Sequence, residues 1–385
     1  MGVPKLRFKA DDGSDFPDWE EMTLGDVGSV AMCKRVFKEQ TREVGDVPFF
    51  KIGTFGGVPD AYISKSLFDE LKSKYAYPEV GTILLSASGT IGRQVEYQGE
   101  DAYYQDSNIV WLEHDDTVLD SYLKQFYSVV KWQGLEGSTI KRLYNKTILD
   151  TPFYRPSLPE QHKIADLLSA VDDVIAAQEA EVAAWERRKK GVMQKLFSQE
   201  VRFKADDGSD FPDWEEKTLG DICVYERQRS EGANFVGTEN MLKDFGGVTF
   251  DNSNADGSGT LYHPGDTLMS NIRPYLKKAW LADRKGTCST DVLVFHPTSV
   301  EPGYLYWLIA SDAFVRYVMS AAKGSKMPRG DKKHIMEMPL LLPNKDEQRK
   351  IDDCLSSLND VIIKAKNELA KWQELKKGLL QQMFV

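Results

Sequence analysis

The residues of this chain best suited to chemistry are cations and small polar donors placed beside glycine. In the first part of the chain they are Lys34, Arg35 and Lys38, the run Ser86-Ala-Ser88-Gly-Thr90 with Arg93, and the pair Lys141 and Arg142. A second set contains Arg227 and Arg229, Ser270 and Asn271 with Arg273, Lys277 and Lys278, and the stretch 323–333, which holds Lys326, Arg329, Lys332 and Lys333. Arginine, lysine, serine and asparagine neutralise phosphates and read base edges, and glycine lets backbone N–H groups approach a ligand. Each set is a candidate DNA-contacting surface, and 323–333 is the densest in cations.

Catalytic patterns are scarce by comparison. The chain has neither a Gly-rich strand-to-helix loop nor a P-loop. It contains no Pro-Pro dipeptide, so the Asp/Asn-Pro-Pro-aromatic motif of amino-methyltransferases is missing. Histidines at 114, 162, 263, 296 and 334 show no metal-ligand spacing and no evident Ser or Cys partner. Pro59-Asp60 followed by Glu70 and Lys72 is similar to the metal site of many nucleases. That chemistry needs the Glu and Lys on a strand, whereas 66–74 reads as a charged helical turn. The expectation is therefore no catalytic residue, no metal site and no cofactor bound by this chain.

The net charge of −10 argues against nucleic acid only if it is spread evenly. It is not, because residues 1–26 carry 3 basic and 7 acidic side chains and 200–221 carry 3 and 8. The longer stretches are near balance, with 15 basic and 17 acidic over 27–158 and 15 and 13 over 222–345. A basic face on either remains open. The four cysteines, Cys33, Cys223, Cys288 and Cys354, form no paired motif, which points to a reducing compartment. With no apolar leader segment and no run of membrane-spanning length, a cytoplasmic protein without a membrane partner is expected.

The elements that must hold these side chains occur twice. Ile164, Leu168, Val171, Ile175, Val182, Trp185, Val192 and Leu196 are echoed at an offset of 187 by Ile351, Leu355, Leu358, Ile362, Leu369, Trp372, Leu379 and Met383. Once Gln178 and Lys189, or Ala365 and Lys376, fill the gaps, the steps alternate between 4 and 3. That is the 3.5-residue period of a coiled-coil seam. The segment 7–26 likewise returns at 202–221 with a single change, Met22 to Lys217. Its turn-forming residues and Trp19 or Trp214 suggest a scaffold strap, and Thr-Leu-Gly-Asp suggests the start of a first strand. Between strap and helix lie two unlike bodies of mixed α/β (α+β) class. Each has short β-branched runs, Val80–Ser86 and Asn108–Leu112, then Gly265–Ser270 and Asp291–Phe295. These are followed by helical stretches at Leu119–Val130 and Gly303–Met319. Both bodies close on the same residues at the 187 offset, among them Gly137, Ser138, Arg142, Pro152 and Gln161 against Gly324, Ser325, Arg329, Pro339 and Gln348.

With strap, variable body and helix all doubled, the whole length resembles the specificity subunit of a type I restriction-modification system. The local part of the resemblance is Leu158-Pro-Glu-Gln161 running to Ile164-Ala165; the second copy departs from it with Asp346-Glu-Gln348 and Ile351-Asp352. The resemblance implies target-recognition domains over 1–158 and 200–345, and conserved helices over 159–199 and 346–385. It implies that the domains stand in a pseudo-twofold arrangement, separated by two long antiparallel coiled-coil helices. It implies that each domain reads one half of a bipartite, asymmetric double-stranded DNA site while the helices act as a spacer. Ile164, Leu168, Val171, Ile175, Trp185, Ile351, Leu355, Leu358, Ile362 and Trp372 are then expected in the coiled coil and in docking of two modification subunits. Those methyltransferase subunits and the motor-nuclease restriction subunits would bring S-adenosylmethionine, ATP and Mg. The order of the repeats adds that the helices run antiparallel, with Phe384 near Arg7 as Phe197 is near Arg202. A coiled-coil scaffold carrying protein-binding modules, or a stand-alone nuclease, are the competing readings.

Overall fold

The computed structural model describes residues 4–132, 142–250 and 257–384; Gly137, Ser138 and Lys141 lie outside them. In the first copy the order is β1 (Glu20–Thr23), α1 (Leu24–Val27), β2 (Gly28–Ala31), β3 (Val47–Phe50), β4 (Tyr62–Ile63), α2 (Lys65–Lys74), β5 (Ile83–Ser86), β6 (Gln94–Glu96), β7 (Tyr103–Tyr104), β8 (Ile109–His114), α3 (Asp120–Val129), α4 (Asn145–Leu149), β9 (Pro152–Arg155) and α5 (Leu158–Phe197). The second runs β10 (Glu215–Thr218), α6 (Leu219–Ile222), β11 (Cys223–Tyr225), β12 (Arg229–Gly232), β13 (Gly257–Tyr262), β14 (Thr267–Ser270), β15 (Ala279–Leu281), β16 (Gly286–Cys288), β17 (Val292–Pro297), α7 (Pro302–Ile309), α8 (Asp312–Ser320), α9 (Lys332–Met336), β18 (Pro339–Leu342) and α10 (Lys345–Met383).

Two local readings change. Thr-Leu-Gly-Asp makes one capped helical turn between two strands, because the Asp26 carboxylate accepts from the Thr23 backbone N–H (2.7 Å) and hydroxyl (2.8 Å). Asp221 does the same for Thr218. The stretch Gly303–Met319 is two helices, since Ser311 accepts from Phe314 N at 3.0 Å and starts α8 afresh. The nuclease-like pair does sit on a helix, α2, where Glu70 bonds Lys74 one turn on, while Asp60 pairs with Lys51.

The copies share a frame. A four-stranded antiparallel sheet, β2-β8-β5-β6, has its counterpart in β11-β17-β14-β15. A two-stranded ribbon joins the strap to the closing segment, Thr23 opposite Pro152 and Thr218 opposite Pro339. They differ in the third sheet. β4-β3-β7 includes a parallel pair, whereas β12-β13-β16 is antiparallel throughout.

The chain packs as two units, 1–179 with 367–385, and 180–366. In the first, the inner face of the four-stranded sheet and α3 (Leu85, Val110, Tyr122, Leu123) close over Ile164 and Leu168 of α5 and Leu380 and Met383 of α10. In the second, Leu293, Phe295, Tyr304 and Leu305 close over Met193 and Leu196 of α5 and Ile351 and Leu355 of α10. The helix halves are antiparallel within each unit. Asp172 meets Lys376 and Glu179 meets Gln373 in the first; Glu186 meets Lys366 and Lys189 meets Asn359 in the second. As α5 advances, its partner on α10 steps back. Among the described residues no helix is long and apolar enough to cross a membrane, and no group of three or more His, Cys, Asp or Glu could hold a metal ion.

Candidate nucleic-acid interface

The strap is fastened by a buried carboxylate at the start of each long helix. Glu160, fully buried, accepts from Arg7 Nε (3.0 Å) and Nη2 (2.8 Å) and from Trp19 Nε1 (2.9 Å). Glu347, also fully buried, accepts from Arg202 (3.1 and 2.8 Å) and Trp214 (2.9 Å) in the same pattern. The bonds to Glu160 raise the Arg7 guanidinium further above its ordinary value. The neighbouring glutamines tie helix to body: Gln161 bonds Leu119 N and Thr117 O, and Gln348 bonds Glu301 N and Pro343 O. The Glu-Gln step that starts each helix is thus a clamp between strap, helix and body.

In both bodies one arginine of the closing segment pairs as a short β-bridge with the turn after the central strand, Arg142 with Ser88 and Arg329 with Ile272. The neighbouring strand of the sheet, β8 or β17, is anchored alike, Ala87 N to Asn108 O and Asn271 N to Asp291 O, both at 2.7 Å. Asn108 and Asp291 are therefore equivalent positions. Ser86 and Ser270, candidates from the sequence, are buried. The Ser86 hydroxyl donates to Thr90 O and accepts from Arg93 N, and Ser270 donates to Ile272 O. Their hydroxyls close turns, and Gly89 (φ 66°) and Gly92 (φ 77°) let the first turn fold so tightly. Both hydroxyls are therefore spent inside the fold, whereas the sequence offered them as DNA contacts. Thr90 and Arg93 are exposed on that turn, with Arg93 donating to Phe55 O at 2.8 Å.

Arg35, Lys38 and Arg142 meet in one cleft of about 500 Å³ in the first body, together with Lys51, Gln105, Asp106 and Asn108. Arg35 pairs with Asp106 (2.9 Å) and Arg142 donates to Ser107 O (2.7 Å). Lys34 is turned elsewhere, over the Tyr75 ring at 4.9 Å. Lys51, Gln105 and Asn108 were missed by sequence reasoning; the polar run 105–108 ahead of β8 was the available signal. Lys141 lies outside the described residues.

In the second body the run 323–329 is a hairpin, with Lys323 N to Arg329 O and the reverse both 2.9 Å and Gly324 at φ 99°. Arg273 holds it by its backbone N–H to Pro328 O at 2.8 Å, and Arg329 pairs with Asp291 at 3.1 Å. Lys326 is exposed near the tip. Asn271 is buried, so it too cannot reach a base without rearrangement, which corrects its placement on the surface. Lys332 and Lys333 follow on α9, whose N-cap Asp331 is held at about 2 by Lys323 and by the His334 and Lys333 N–H groups. Arg227 and Arg229 are exposed beside and on β12, in the three-stranded sheet. A larger groove of about 1320 Å³ lies in the same unit against α5 and α10. Lys190 and Lys277 there share Asp312, Lys366 pairs with Glu186, and burial lowers Lys189.

Of the residues expected in the seam and in subunit docking, Ile164, Leu168, Val171, Ile351, Leu355 and Ile362 are buried within their own units. Ile175, Trp185, Leu358 and Trp372 are half-buried. The six buried side chains are occupied by the chain's own packing, as a coiled-coil seam requires.

The profile described as type I restriction modification DNA specificity domain matches residues 17–184 and 212–372. A putative type I restriction enzyme specificity subunit of Haemophilus influenzae is 58% identical over 146 residues, 38% of this chain and 38% of that protein. The type I restriction enzyme MjaVIII specificity subunit of Methanocaldococcus jannaschii is 22% identical over 418 residues, covering 98% of this chain and 95% of the relative. The crystal structure of the type I restriction-modification system S subunit from M. genitalium shares the fold, with a TM-score of 0.62 at 16% identity over 100% of this chain and 99% of that one. Two matched segments, each taking in part of one strap, one body and part of one long helix, place the chain in the type I restriction modification DNA specificity domain family, as the specificity subunit of such a system.

Proposed function

We propose that each body reads one half of a bipartite, asymmetric duplex DNA sequence, and that the long helices set the gap and dock two modification subunits. The observation that carries this reading is the contrast between a repeated frame and unrepeated details. The four-stranded sheets, clamps and closing arginines correspond, while the third sheet and the residue beside the arginine, Asn108 or Asp291, do not. Two frames of one design with different mouths suit two readers of different sequences. Adenine-N6 methylation, with its S-adenosylmethionine, belongs in this reading to the modification subunits, and ATP and Mg to the motor-nuclease subunits.

Selection of duplexes from a random pool, with the modification subunit present, tests the reading. The expected product is two short defined elements separated by a gap of constant length. A single contiguous element, or none, would leave the scaffold reading in its place.

A further inference from the structure

The cleft of the first body has a chemical bias that its counterpart lacks. Gln105 Oε1 already accepts from Ile52 N at 2.9 Å, and Asn108 Oδ1 accepts from the Ser88 hydroxyl at 2.9 Å. Asp106 is taken by Arg35 and by the Ser107 hydroxyl. With their oxygens so used, the two amides have N–H groups left to offer, and the same cleft is lined by Lys38, by Arg35 paired with Asp106, by Lys51 paired with Asp60 and by Arg142. With one carboxylate, Asp106, against four cations and two amides, the cleft is rich in donors and suits a ligand that presents acceptors. In the second body the position equivalent to Asn108 is Asp291, whose carboxylate neutralises Arg329.

We propose that this cleft binds hydrogen-bond acceptors of DNA, and that Gln105 and Asn108 are its specificity-determining residues. The proposal rests on the DNA-reading function above and names the chemistry that the first body reads. On the major-groove side of a duplex, two parts present paired acceptors without a donor on the same base: the O6 and N7 edge of guanine, and the phosphate oxygens. Adenine and cytosine carry an exocyclic amine there and need an acceptor from the protein.

Gln105→Glu keeps the oxygen that Ile52 N–H requires and converts only the cleft-facing donor into an acceptor. Asn108→Asp brings in the second body's arrangement. Both variants, reconstituted with the modification subunit, are put through duplex selection and affinity measurement beside the wild type. The second half-site serves as the internal control, since a misfolded chain would lose both halves. The guanine case predicts a loss of discrimination of about tenfold or more at one position of the first half-site, with matching sensitivity to 7-deazaguanine there. The phosphate case predicts a loss across all sequences, with matching sensitivity to a methylphosphonate linkage. If the wild type selects a bipartite sequence and both variants select it equally well, the proposal fails alone. An affected position at which removing an adenine or cytosine amine weakens binding also overturns it. If the wild type selects no sequence, the DNA-reading function fails, and the proposal with it.

Discussion

Glu160 accepts three hydrogen bonds from the strap with its own side chain fully buried, and Glu347 repeats the set. A buried carboxylate is tolerated only when its lone pairs are filled, and a hydrogen bond to a charged group contributes ~1.5–3 kcal/mol. Glu160→Gln and Glu347→Gln should therefore each destabilise their own unit by about 2 kcal/mol in urea denaturation, to a similar extent because the two clamps match. His114 gives a pH-dependent counterpart. Its hydrogen bond to Asp120 at the start of α3 raises its pKa above the ordinary value near ~6.5. A group raised in the folded state stabilises fully below the unfolded value and loses that contribution as pH rises through the folded one. Stability of the first unit should fall as pH rises from ~6.5, and Asp120→Asn should flatten that fall. An NMR titration of that variant should show His114 returning toward its ordinary pKa. For DNA, exposed Lys326 should behave as a phosphate contact, its loss lowering the slope of log K against log salt by about one. Arg329, already paired with Asp291, should change the slope less.

At the scale of the element, the two long helices owe their length to the seam and their register to pairs such as Asp172 with Lys376 and Glu186 with Lys366. Helical propensity alone does not hold a segment this long; burial of one face does. The seam is deepest where the bodies cover it, at Leu168 and Leu355, and half-buried at Ile175, Trp185 and Trp372. Inserting one four-residue turn at equivalent points of both helices adds ~6 Å at ~1.5 Å per residue. The preferred gap in the selected DNA should then widen by about 2 base pairs at ~3.4 Å each. An unchanged gap would separate helix length from the spacer.

For the whole molecule, what matters is how each strap meets the end of a helix. Leu6 N donates to Gln382 O at 3.0 Å, and Val201 N donates to Lys195 O at 3.2 Å, so the same join occurs once within each unit. Phe384 stacks on Tyr122 at 5.4 Å, as Phe197 packs on Tyr304 at 5.7 Å. In the second unit this join is bridged by continuous chain. A short linker from the end of α10 to Leu6, with a cut between Phe197 and Arg202, should give a permutant that melts cooperatively and selects the same DNA, because every packed contact survives. Exchange of 222–345 for the corresponding body of a relative should change one half of the target and leave the other, and a change in both halves would refute independent reading.

The doubled order of strap, body and helix, the antiparallel sense of the helices and the clamp tryptophans were all legible in the sequence. Each rests on a repeat or on a period within one element, and burial of a helical stripe leaves its period in the residues that form it. The tertiary structure decided which way the body side chains turn. Ser86 and Ser88 stand two apart on one turn, yet one closes the turn from inside and the other faces Asn108, because the pairing with Arg142 fixes their sides. The third sheets, built of strands two to six residues long, are too short to show a period and gain their hydrogen bonds only from distant partners. The cleft depends on the same kind of pairing, since Arg35, Lys51, Gln105 and Arg142 are brought together by strands and a closing segment far apart in the chain. Which charges are spent was likewise hidden: Arg142 and Arg329 are equivalent residues, and only the fold puts a backbone carbonyl against one and a carboxylate against the other.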